Sequence, residues 1–372
     1  MIWNTAVLQK SPRTFDAPGF AETGVQALFY EALPWRGQPT RSFAWLGLPE
    51  RREAERVPAM VLVHGGGGTA YADWVRLWTS RGYAAIAMDT CGCTAGGERG
   101  QRPRHEWGGP PGFGGWEQIE WPVEDQWLYH AVADVMLAHS LLRSFDEVDS
   151  TRIGLTGISW GGFITCMVAG LDPRFALAAP VYGCGCVAEN GFLSTLLPED
   201  SDAAQRWLDL WDPAHFLPQA ALPMLWVNGT NDFAFPMNVY QQSYRLAPGP
   251  RTLSIRVRME HSQPAGSTAP EISAFADSLF KGEPSLASII EQQRDGSSAS
   301  VRFAAEVPVV RAELNTTMGT GRWTEREWQT LPAEVFGDTV SGQLPPGATA
   351  YFFNLIDERG LVVSSEMNIS ES

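Results

Sequence analysis

The feature that most constrains this chain is a glycine-flanked serine between two apolar segments. Ser159 lies at the centre of the pattern Gly-Ile-Ser-Trp-Gly, residues 157–161. The apolar run before it, 151–158, has the composition of a strand, and the run after it, 163–169, has that of a helix. Small residues on both sides of a serine allow the sharp, strained turn that joins a strand directly to a helix. The sequence therefore predicts a strand, a tight turn and a helix, with the Ser159 hydroxyl exposed at the turn.

This pattern is informative only together with the segments around it, because a short glycine motif arises easily by chance in a chain with 37 glycines. Strand-like and helix-like segments alternate from residue 58 to about residue 281. This alternation predicts an α/β fold with a mainly parallel sheet and helices on both faces. The first central strand, 58–63, is apolar throughout, as expected of a strand that is buried on both faces.

The sequence also predicts how the chain is divided. The α/β domain is expected over 1–282, a linker over 283–300, and a small C-terminal all-β sandwich domain over 301–372, where short β-type runs are separated by Gly, Pro and Asn. Inside the first domain, residues 91–122 form a long loop rich in glycine, proline and tryptophan. A loop of this length in a compact domain is usually functional, so we expect it to border a pocket.

Two further side chains follow predicted strands in the order that a serine nucleophile needs. Asp232 follows the strand 223–227, and His261 follows the strand 253–258. Catalytic groups of open α/β sheets gather at the carboxyl ends of strands. A serine hydroxyl is a poor nucleophile near neutral pH, so a histidine must take its proton and a carboxylate must orient the imidazole. We predict the catalytic triad Ser159, Asp232 and His261; the alternative is that the aspartate caps a helix and the histidine is a surface residue.

An acyl-transfer site also needs two backbone N–H donors directed at the developing oxyanion. Trp160, directly after the serine, is expected to supply one of them. Gly65 or Gly66 is expected to supply the other, because glycine lets the backbone approach a substrate closely. Both belong to the run His-Gly-Gly-Gly at residues 64–67, which matches the HGGG-type motif of esterases.

Aromatic and imidazole side chains are frequent in the loops near these groups. They can stack on a sugar or an aromatic acyl group, or they can simply fill the wall of a loop-rich domain. The sequence leaves both interpretations open. The candidates for substrate contact are His105, Trp107, Trp116, Trp160 and Phe233.

The glycine run permits a second interpretation. Residues 65–70 fit the pattern G-x-G-x-x-A between a strand and a helix, and Asp89 ends the next strand, as in a dinucleotide-binding fold. That interpretation leaves Ser159, Asp232 and His261 without explanation. We therefore expect no cofactor.

The five cysteines do not suggest a secreted disulfide framework, because their number is odd. Two pairs, Cys91 with Cys93 and Cys184 with Cys186, could offer thiolates to a metal ion, but no well-spaced histidines join them. We favour the interpretation that they are small side chains packing loops near the pocket, and we expect no metal ion.

Charge and hydropathy narrow the class of partner. The formal net charge of −15 argues against nucleic acid and anionic membranes. No run of 18 apolar residues occurs, so no transmembrane helix is expected. The first ten residues lack the basic flank and long apolar region of a secretory signal. A cytoplasmic protein is the expectation, although a chain from which a signal had been removed would look the same, and the oligomeric state stays open.

Together these residues resemble the α/β-hydrolase superfamily. Within it they resemble the bacterial group that spans acetyl xylan esterase-like, dienelactone hydrolase-like and prolyl oligopeptidase-like proteins. The resemblance covers roughly residues 25–282 and rests on the glycine run 64–68, the segments 148–162 and 228–232, and His261. It implies an α/β-hydrolase fold and a serine hydrolase activity.

Three departures narrow the resemblance. Dienelactone hydrolases proper have a cysteine nucleophile where this chain has Ser159. Glucuronoyl esterases carry an arginine after the serine, where this chain has Trp160. Prolyl oligopeptidases place a large β-propeller before the hydrolase domain, whereas only about 57 residues precede the first central strand here.

The resemblance and the triad predict a serine carboxylesterase that hydrolyses small acyl esters through an acyl-enzyme on Ser159. Acetyl groups on carbohydrate are the expected substrate, so the expected partner is a small-molecule or carbohydrate ester. One alternative is a peptidase or amidase of the prolyl oligopeptidase-like type on the same triad. Another, of a different class, is a catalytically silent hydrolase fold that binds glycan through its C-terminal β domain.

Overall fold

The computed structural model of the protein describes residues 2–51 and 55–369. Residues 1, 52–54 and 370–372, which the predicted domains include, lie outside the described residues. Within the described ranges, no helix has the length and apolar character needed to cross a membrane.

A mixed sheet and the helices around it make up the larger part of the molecule. In the described part of the chain this sheet has nine strands: β1 (Thr14–Asp16), β2 (Gln26–Trp35), β3 (Gln38–Gly47), β4 (Val57–Val63), β5 (Ala84–Met88), β6 (Val148–Ile158), β7 (Leu177–Val181), β8 (Met224–Gly229) and β9 (Arg251–Arg256). The α-helices are α1 (Thr5–Leu8), α2 (Ala72–Thr79), α3 (Trp127–Leu142), α4 (Trp160–Leu171), α5 (Ser201–Trp211), α6 (Met237–Leu246), α7 (Gln263–Ser267) and α8 (Pro270–Lys281). Short 3-10 helices lie at Trp116–Gln118, Val123–Asp125, Val187–Glu189, Leu193–Leu196, Pro213–His215, Leu217–Gln219 and Trp323–Glu325.

The order of strands across this sheet is β1-β2-β3-β5-β4-β6-β7-β8-β9. From β5 to β9 neighbouring strands run parallel, and β1 to β3 add an antiparallel edge. Strands β4, β5 and β7 are buried at every residue, which explains their continuous apolar sequences. The crossover through α2 moves one way along the sheet and the crossover through α3 moves the other way. Because such crossovers are right-handed, these two helices cover opposite faces, as the sequence predicted.

The C-terminal part is a separate antiparallel β half-barrel. Its strands within the described residues are β10 (Ser288–Asp295), β11 (Ser298–Ala304), β12 (Val309–Thr317), β13 (Gln329–Phe336), β14 (Thr339–Gln343), β15 (Ala350–Asp357), β16 (Val362–Ser364) and β17 (Asn368–Ile369). They form a sheet in the order β10-β11-β14-β13-β12-β15-β16, with β17 paired to β15. The half-barrel has a core of its own, which includes Val301, Leu314, Val340, Tyr351 and Phe353. The predicted all-β character of this part is confirmed.

The segment predicted as a linker is mostly strand, which corrects the sequence interpretation. Residues 288–295 form β10, and residues 298–300 already belong to β11, with Gly296 at positive φ in the hairpin turn between them. The sequence of β10 is as polar as that of a linker, because an edge strand exposes most of its side chains and carries charges that discourage pairing with other chains. The division of the chain into domains stays a prediction.

The half-barrel packs against β9 and α8. The main hydrophobic core continues into it through Phe352, Leu361, Val363 and Met367. At the contact with β9, the backbone N–H of Ile255 donates to Ser364 Oγ over 2.8 Å, and Asn354 Nδ2 donates to the Ile255 carbonyl over 3.1 Å. The two sheets therefore share buried apolar and polar contacts.

Candidate active site

The turn at Ser159 has the strained geometry that its flanking glycines permit. Ser159 lies between the end of β6 and the start of α4, with φ of 59° and ψ of −118°, an unusual conformation for a residue with a side chain. A Cβ atom on Gly161 would lie 2.0 Å from the Val63 carbonyl oxygen, and one on Gly157 would lie 2.1 Å from the Gly161 carbonyl oxygen. Glycine is thus required on both sides of the serine for the helix to start so close to the sheet.

Ser159, His261 and Asp232 form a hydrogen-bonded row at the carboxyl ends of β6, β9 and β8. His261 Nδ1 lies 2.6 Å from Asp232 Oδ2, and His261 Nε2 lies 2.9 Å from Ser159 Oγ. Both are hydrogen-bond distances. The structure therefore brings together the three side chains that the sequence predicted as a triad, and their catalytic role stays a prediction.

The surroundings of Asp232 hold its carboxylate in place. The residue is 2% exposed, and its Oδ1 accepts hydrogen bonds from the backbone N–H groups of Ala234 (2.9 Å) and Phe235 (2.7 Å). With Oδ1 occupied in this way, Oδ2 is directed at His261. A carboxylate held in this way can orient an imidazole through its Nδ1 proton.

Aromatic rings enclose the imidazole of His261. The Tyr182 ring stacks on it with centroids 4.7 Å apart, and the Phe233 ring lies 4.8 Å away on the rim of the site. Phe233 is 51% exposed, so one face of it is available to a bound molecule. Burial raises the pKa of the Tyr182 hydroxyl well above its usual range, so this ring stays neutral beside His261.

The glycine loop after β4 lies directly against the turn at Ser159. A Cβ atom on Gly65 would lie 2.8 Å from the Ile158 carbonyl oxygen and 3.0 Å from Ser159 Cβ. The Gly65 carbonyl accepts hydrogen bonds from Gly68 N–H (3.0 Å) and from His64 Nδ1 (2.8 Å). Trp160 is the first residue of α4, where backbone N–H groups lack partners within the helix. The predicted oxyanion donors Gly65, Gly66 and Trp160 thus surround one side of the serine.

A cavity of about 150 Å³ opens at the serine on the side of His261. Its wall includes the glycine loop, the turn at Ser159 and the start of α7. The lining residues are Gly65, Gly66, Gly68, Tyr71, Arg99, Ile158, Ser159, His261, Ser262, Gln263 and Pro264.

Two of the predicted substrate-contact residues lie together on the other side of the serine. The half-buried Trp160 indole lies so close to Gly66 that a Cβ atom added to this glycine would be 3.0 Å from it. The Trp116 ring lies 5.6 Å from that of Trp160, with Phe163 packed on the same indole at 4.9 Å. Trp160 and Trp116 are therefore placed to form one wall of the site.

His105 and Trp107 are placed elsewhere. Both pack on Phe29 of β2, with ring centroids at 4.9 Å and 5.8 Å, and neither lines the cavity at Ser159. Burial lowers the pKa of His105 to about 4, so the ring is neutral near neutral pH. The chain returns to the antiparallel edge of the sheet here, because Arg41 N–H donates to the Trp107 carbonyl and the Arg41 guanidinium stacks on the Trp107 ring. The sequence showed that these residues are in the long loop but not which part of that loop faces the serine.

Known proteins share this architecture. A family model described as "Acetyl xylan esterase (AXE1)" matches residues 23–192. The solved structure of the acetyl xylan esterase from Paenibacillus sp. R4 superposes with a TM-score of 0.60 at 21% identity, over 74% of this chain and 92% of that chain. The acylaminoacyl peptidase of Pyrococcus horikoshii gives a TM-score of 0.51 at 17% identity, over 74% of this chain and 44% of that chain. The chain therefore has the α/β-hydrolase fold.

The resemblance stated from the sequence is confirmed at the level of the fold. Among curated proteins, the acylamino-acid-releasing enzyme of Homo sapiens is 24% identical over 251 residues, which cover 60% of this chain and 30% of that protein. The chain thus spans about 30% of the length of the curated relatives it matches.

One group of possible metal ligands occurs among the described residues of the chain. Ligand atoms of His64, Asp89 and Cys91 lie within 4.8 Å of one another, and all three residues are buried. His64 Nε2 already accepts a hydrogen bond from Thr90 N–H, and Asp89 Oδ1 accepts from two backbone N–H groups. These protein partners fit a hydrogen-bonded support below the glycine loop better than a metal centre.

The same contacts bear on the dinucleotide interpretation. Asp89 is 1% exposed and binds the backbone of Cys91 and Cys93 through Oδ1, so its carboxylate is not presented to a ribose. All five cysteines are free thiols, and Cys91, Cys166 and Cys184 are buried. Packing within the α/β-hydrolase core accounts for these three.

Sequence reasoning missed three polar residues at this site. Tyr71, Arg99 and Gln263 line the cavity at Ser159. Tyr71 and Gln263 are close in sequence to the glycine run and to His261, and this proximity was a usable signal. Arg99 lies in the long loop without a motif around it, and only the folded structure brings it to the serine.

Proposed function

We propose that this α/β-hydrolase is a serine carboxylesterase that removes small acyl groups, acetyl above all, from carbohydrate. The observation that carries the proposal is the hydrogen-bonded row Asp232, His261 and Ser159 beside the glycine loop. We place the catalytic residues within the predicted domain 1–282, with the C-terminal part as a separate domain.

His261 acts as the general base in this mechanism. Its Nε2 is 2.9 Å from Ser159 Oγ, which allows it to take the hydroxyl proton as the oxygen attacks the ester carbonyl. Asp232 keeps the Nδ1 proton in place and stabilises the imidazolium that forms. The same imidazolium then protonates the departing alcohol, and a water activated by His261 hydrolyses the acyl-enzyme.

Peptide geometry favours Gly66 over Gly65 as the second oxyanion donor. In a trans peptide the carbonyl of one residue and the N–H of the next point in opposite directions. The Gly65 carbonyl is held towards His64 Nδ1 and Gly68 N–H, so the Gly66 N–H points away from them. Together with the N–H of Trp160, it would stabilise the negative charge of the tetrahedral intermediate.

The aromatic wall favours a short acyl group. Trp160 lies against Gly66, and Trp116 and Phe163 pack behind its indole, so little space is left on that side of the serine. The match to the acetyl xylan esterase family model supports the same choice. Phe233, at the rim beside His261, offers an exposed ring on which a sugar can stack.

A peptidase or amidase on the same three residues is the second candidate. It is favoured by the curated relatives, which include an acylamino-acid-releasing enzyme at 24% identity. The two candidates use the same three residues and differ in the leaving group that the site must protonate. Substrates with different leaving groups therefore distinguish them, whereas substitutions at these residues do not.

The test compares wild type with Ser159→Ala on p-nitrophenyl acetate and on an acetylated aminoacyl p-nitroanilide. We expect wild type to prefer the ester, and the variant to lose at least about a thousandfold in kcat/KM because it lacks the nucleophile. The control is Ser80→Ala, which changes an exposed serine after α2 and should behave as wild type.

Other outcomes would point elsewhere. A preference for the anilide would favour the peptidase. Activity that survives in Ser159→Ala would show that another group is the nucleophile. Wild type that is inert on every ester and anilide but binds glycan would support the catalytically silent fold.

A further inference from the structure

The cavity at Ser159 is lined by hydrogen-bond donors and by no carboxylate among its described residues. Besides backbone and apolar groups it contains the hydroxyl of Tyr71, the guanidinium of Arg99 and the side-chain amide of Gln263. Gln263 Nε2 is inaccessible to solvent and has no hydrogen-bond partner within the described residues. In a chain with a net charge of −15, a cavity lining without a carboxylate is a local exception.

Arg99 is the positive charge of this cavity. It is exposed, and within residues 2–51 and 55–369 no ion pair or hydrogen bond of its guanidinium is observed. Its side chain crosses the glycine loop, since a Cβ atom on Gly67 would lie 3.3 Å from Arg99 Cγ and 3.6 Å from its Nε. Gly100 N–H donates to the Gly67 carbonyl over 3.1 Å, which fixes the start of this turn on the loop. The long loop therefore presents one cation beside the serine.

The position of the cavity shows which part of a substrate it would receive. His261 must return its proton to the departing oxygen, so the leaving group lies on the side of His261. The cavity is on that side and includes Ser262 and Gln263, whereas Trp160 is not one of its lining residues. The leaving group would therefore lie within reach of Arg99 and Gln263.

We propose that the leaving group carries a carboxylate, which Arg99 binds. This inference rests on the proposed function and specifies its substrate class as the esters of acidic alcohols. A guanidinium pairs with a carboxylate through two parallel hydrogen bonds, and one arginine balances one negative charge. The carboxylate can belong to a uronic acid of an acetylated saccharide or to a small hydroxy acid.

The test uses two acetyl esters that differ in one charge, 4-acetoxybenzoate and its neutral methyl ester. The measured quantity is the ratio of their kcat/KM values. We expect a ratio of about ten for wild type at low salt, a ratio near one for Arg99→Gln, and an intermediate value for Arg99→Lys, which keeps the charge without the planar fork. Raising the salt from about 0.05 M to about 0.5 M should lower the wild-type ratio, because an exposed charge is screened. Arg322→Gln, which removes an exposed arginine of the half-barrel, is the control and should keep the wild-type ratio.

The outcomes separate this inference from the proposed function. Wild type that cleaves the neutral ester through Ser159 with a ratio near one overturns the inference and leaves the esterase intact. A ratio that Arg99→Gln does not change also overturns it. Wild type that cleaves neither ester contradicts the proposed function itself. If the ratio behaves as expected, acetylated galacturonate oligosaccharides and O-acetylated hydroxy acids, each against a neutral counterpart, identify the source of the carboxylate.

Discussion

The side chain of His64 links the glycine loop to the sheet below it. Its Nδ1 lies 2.8 Å from the Gly65 carbonyl, and its Nε2 accepts from Thr90 N–H over 3.1 Å, so the tautomer with the proton on Nδ1 satisfies both contacts. A single buried imidazole thus sets the orientation of the peptide between Gly65 and Gly66.

Replacing His64 should impair the reaction more than substrate binding. In His64→Ala the Gly65 carbonyl loses a donor and the Gly66 N–H is no longer held towards the oxyanion. We expect kcat on p-nitrophenyl acetate to fall by about a hundredfold with little change in KM, because an oxyanion donor acts in the transition state. Steady-state kinetics measure both values.

The matched variant is His64→Asn, because its Nδ2 can occupy the place of Nδ1 and donate to the Gly65 carbonyl. It should recover most of the lost kcat. Thermal unfolding of both variants provides the control for packing. If Asn and Ala lower kcat and the melting temperature to the same degree, His64 only fills space and the positioning role is wrong.

At the scale of elements, the sequence predicted the central sheet well because its signals are local. Buried parallel strands are continuous apolar runs, and β4 begins and ends within one residue of the predicted segment 58–63. Strands with many exposed side chains carry a weaker signal. In β13, side chains alternate between exposed and half-buried, and Pro332 interrupts the run, so the sequence alone does not predict a strand there.

The long loop 91–122 shows the limit of the same reasoning at the site. Its length correctly predicted that it borders the cavity, which it does through Arg99. Which of its side chains face the serine depends on contacts with β2 and with the glycine loop, and these have no sequence pattern. Trp107 was predicted as a substrate contact and Arg99 was not, yet of the two only Arg99 reaches the cavity.

Helix α3 contains a buried acid that should make stability depend on pH. Burial raises the pKa of Asp134 to about 8, whereas the carboxyl of an unfolded chain titrates near about 3.9. Between these two pKa values the folded state keeps a proton that the unfolded state loses. The contribution of Asp134 to stability is therefore complete below the pKa of the unfolded chain and falls as pH rises towards the pKa of the folded state. Asp134→Asn removes this titration, so we expect its melting temperature to exceed that of wild type at pH 9 and to approach it at pH 5.

Calorimetry of both proteins across this pH range gives the difference directly. Asp16→Asn, which neutralises an exposed acid in β1, should show no such divergence. A difference between Asp134→Asn and wild type that stays constant from pH 5 to pH 9 would mean that the carboxyl is ionised throughout.

At the scale of the whole molecule, the half-barrel touches the loop that carries the proposed catalytic acid. Asn231, the residue before Asp232, donates through Nδ2 to the carbonyls of Trp323 (3.2 Å), Thr324 (3.2 Å) and Arg326 (2.8 Å). These carbonyls belong to a short turn between β12 and β13. The position of the Asp232 loop therefore depends on a part of the chain that comes almost a hundred residues later.

The variant Asn231→Ala tests whether this contact affects kcat/KM beyond its effect on stability. The variant leaves three carbonyls without their donor and frees the Asp232 loop, so we expect about a tenfold fall in kcat/KM and a loss of about 1–3 kcal/mol in the free energy of unfolding. The matched control is Gln241→Ala, which removes another side-chain bond to the C-terminal part, from Gln241 Nε2 to the Met367 carbonyl, on helix α6. That variant should lose similar stability and keep wild-type kcat/KM. Equal effects of both variants on kcat/KM would mean that the half-barrel only stabilises the fold. An effect confined to Asn231→Ala would mean that the half-barrel also positions the proposed triad.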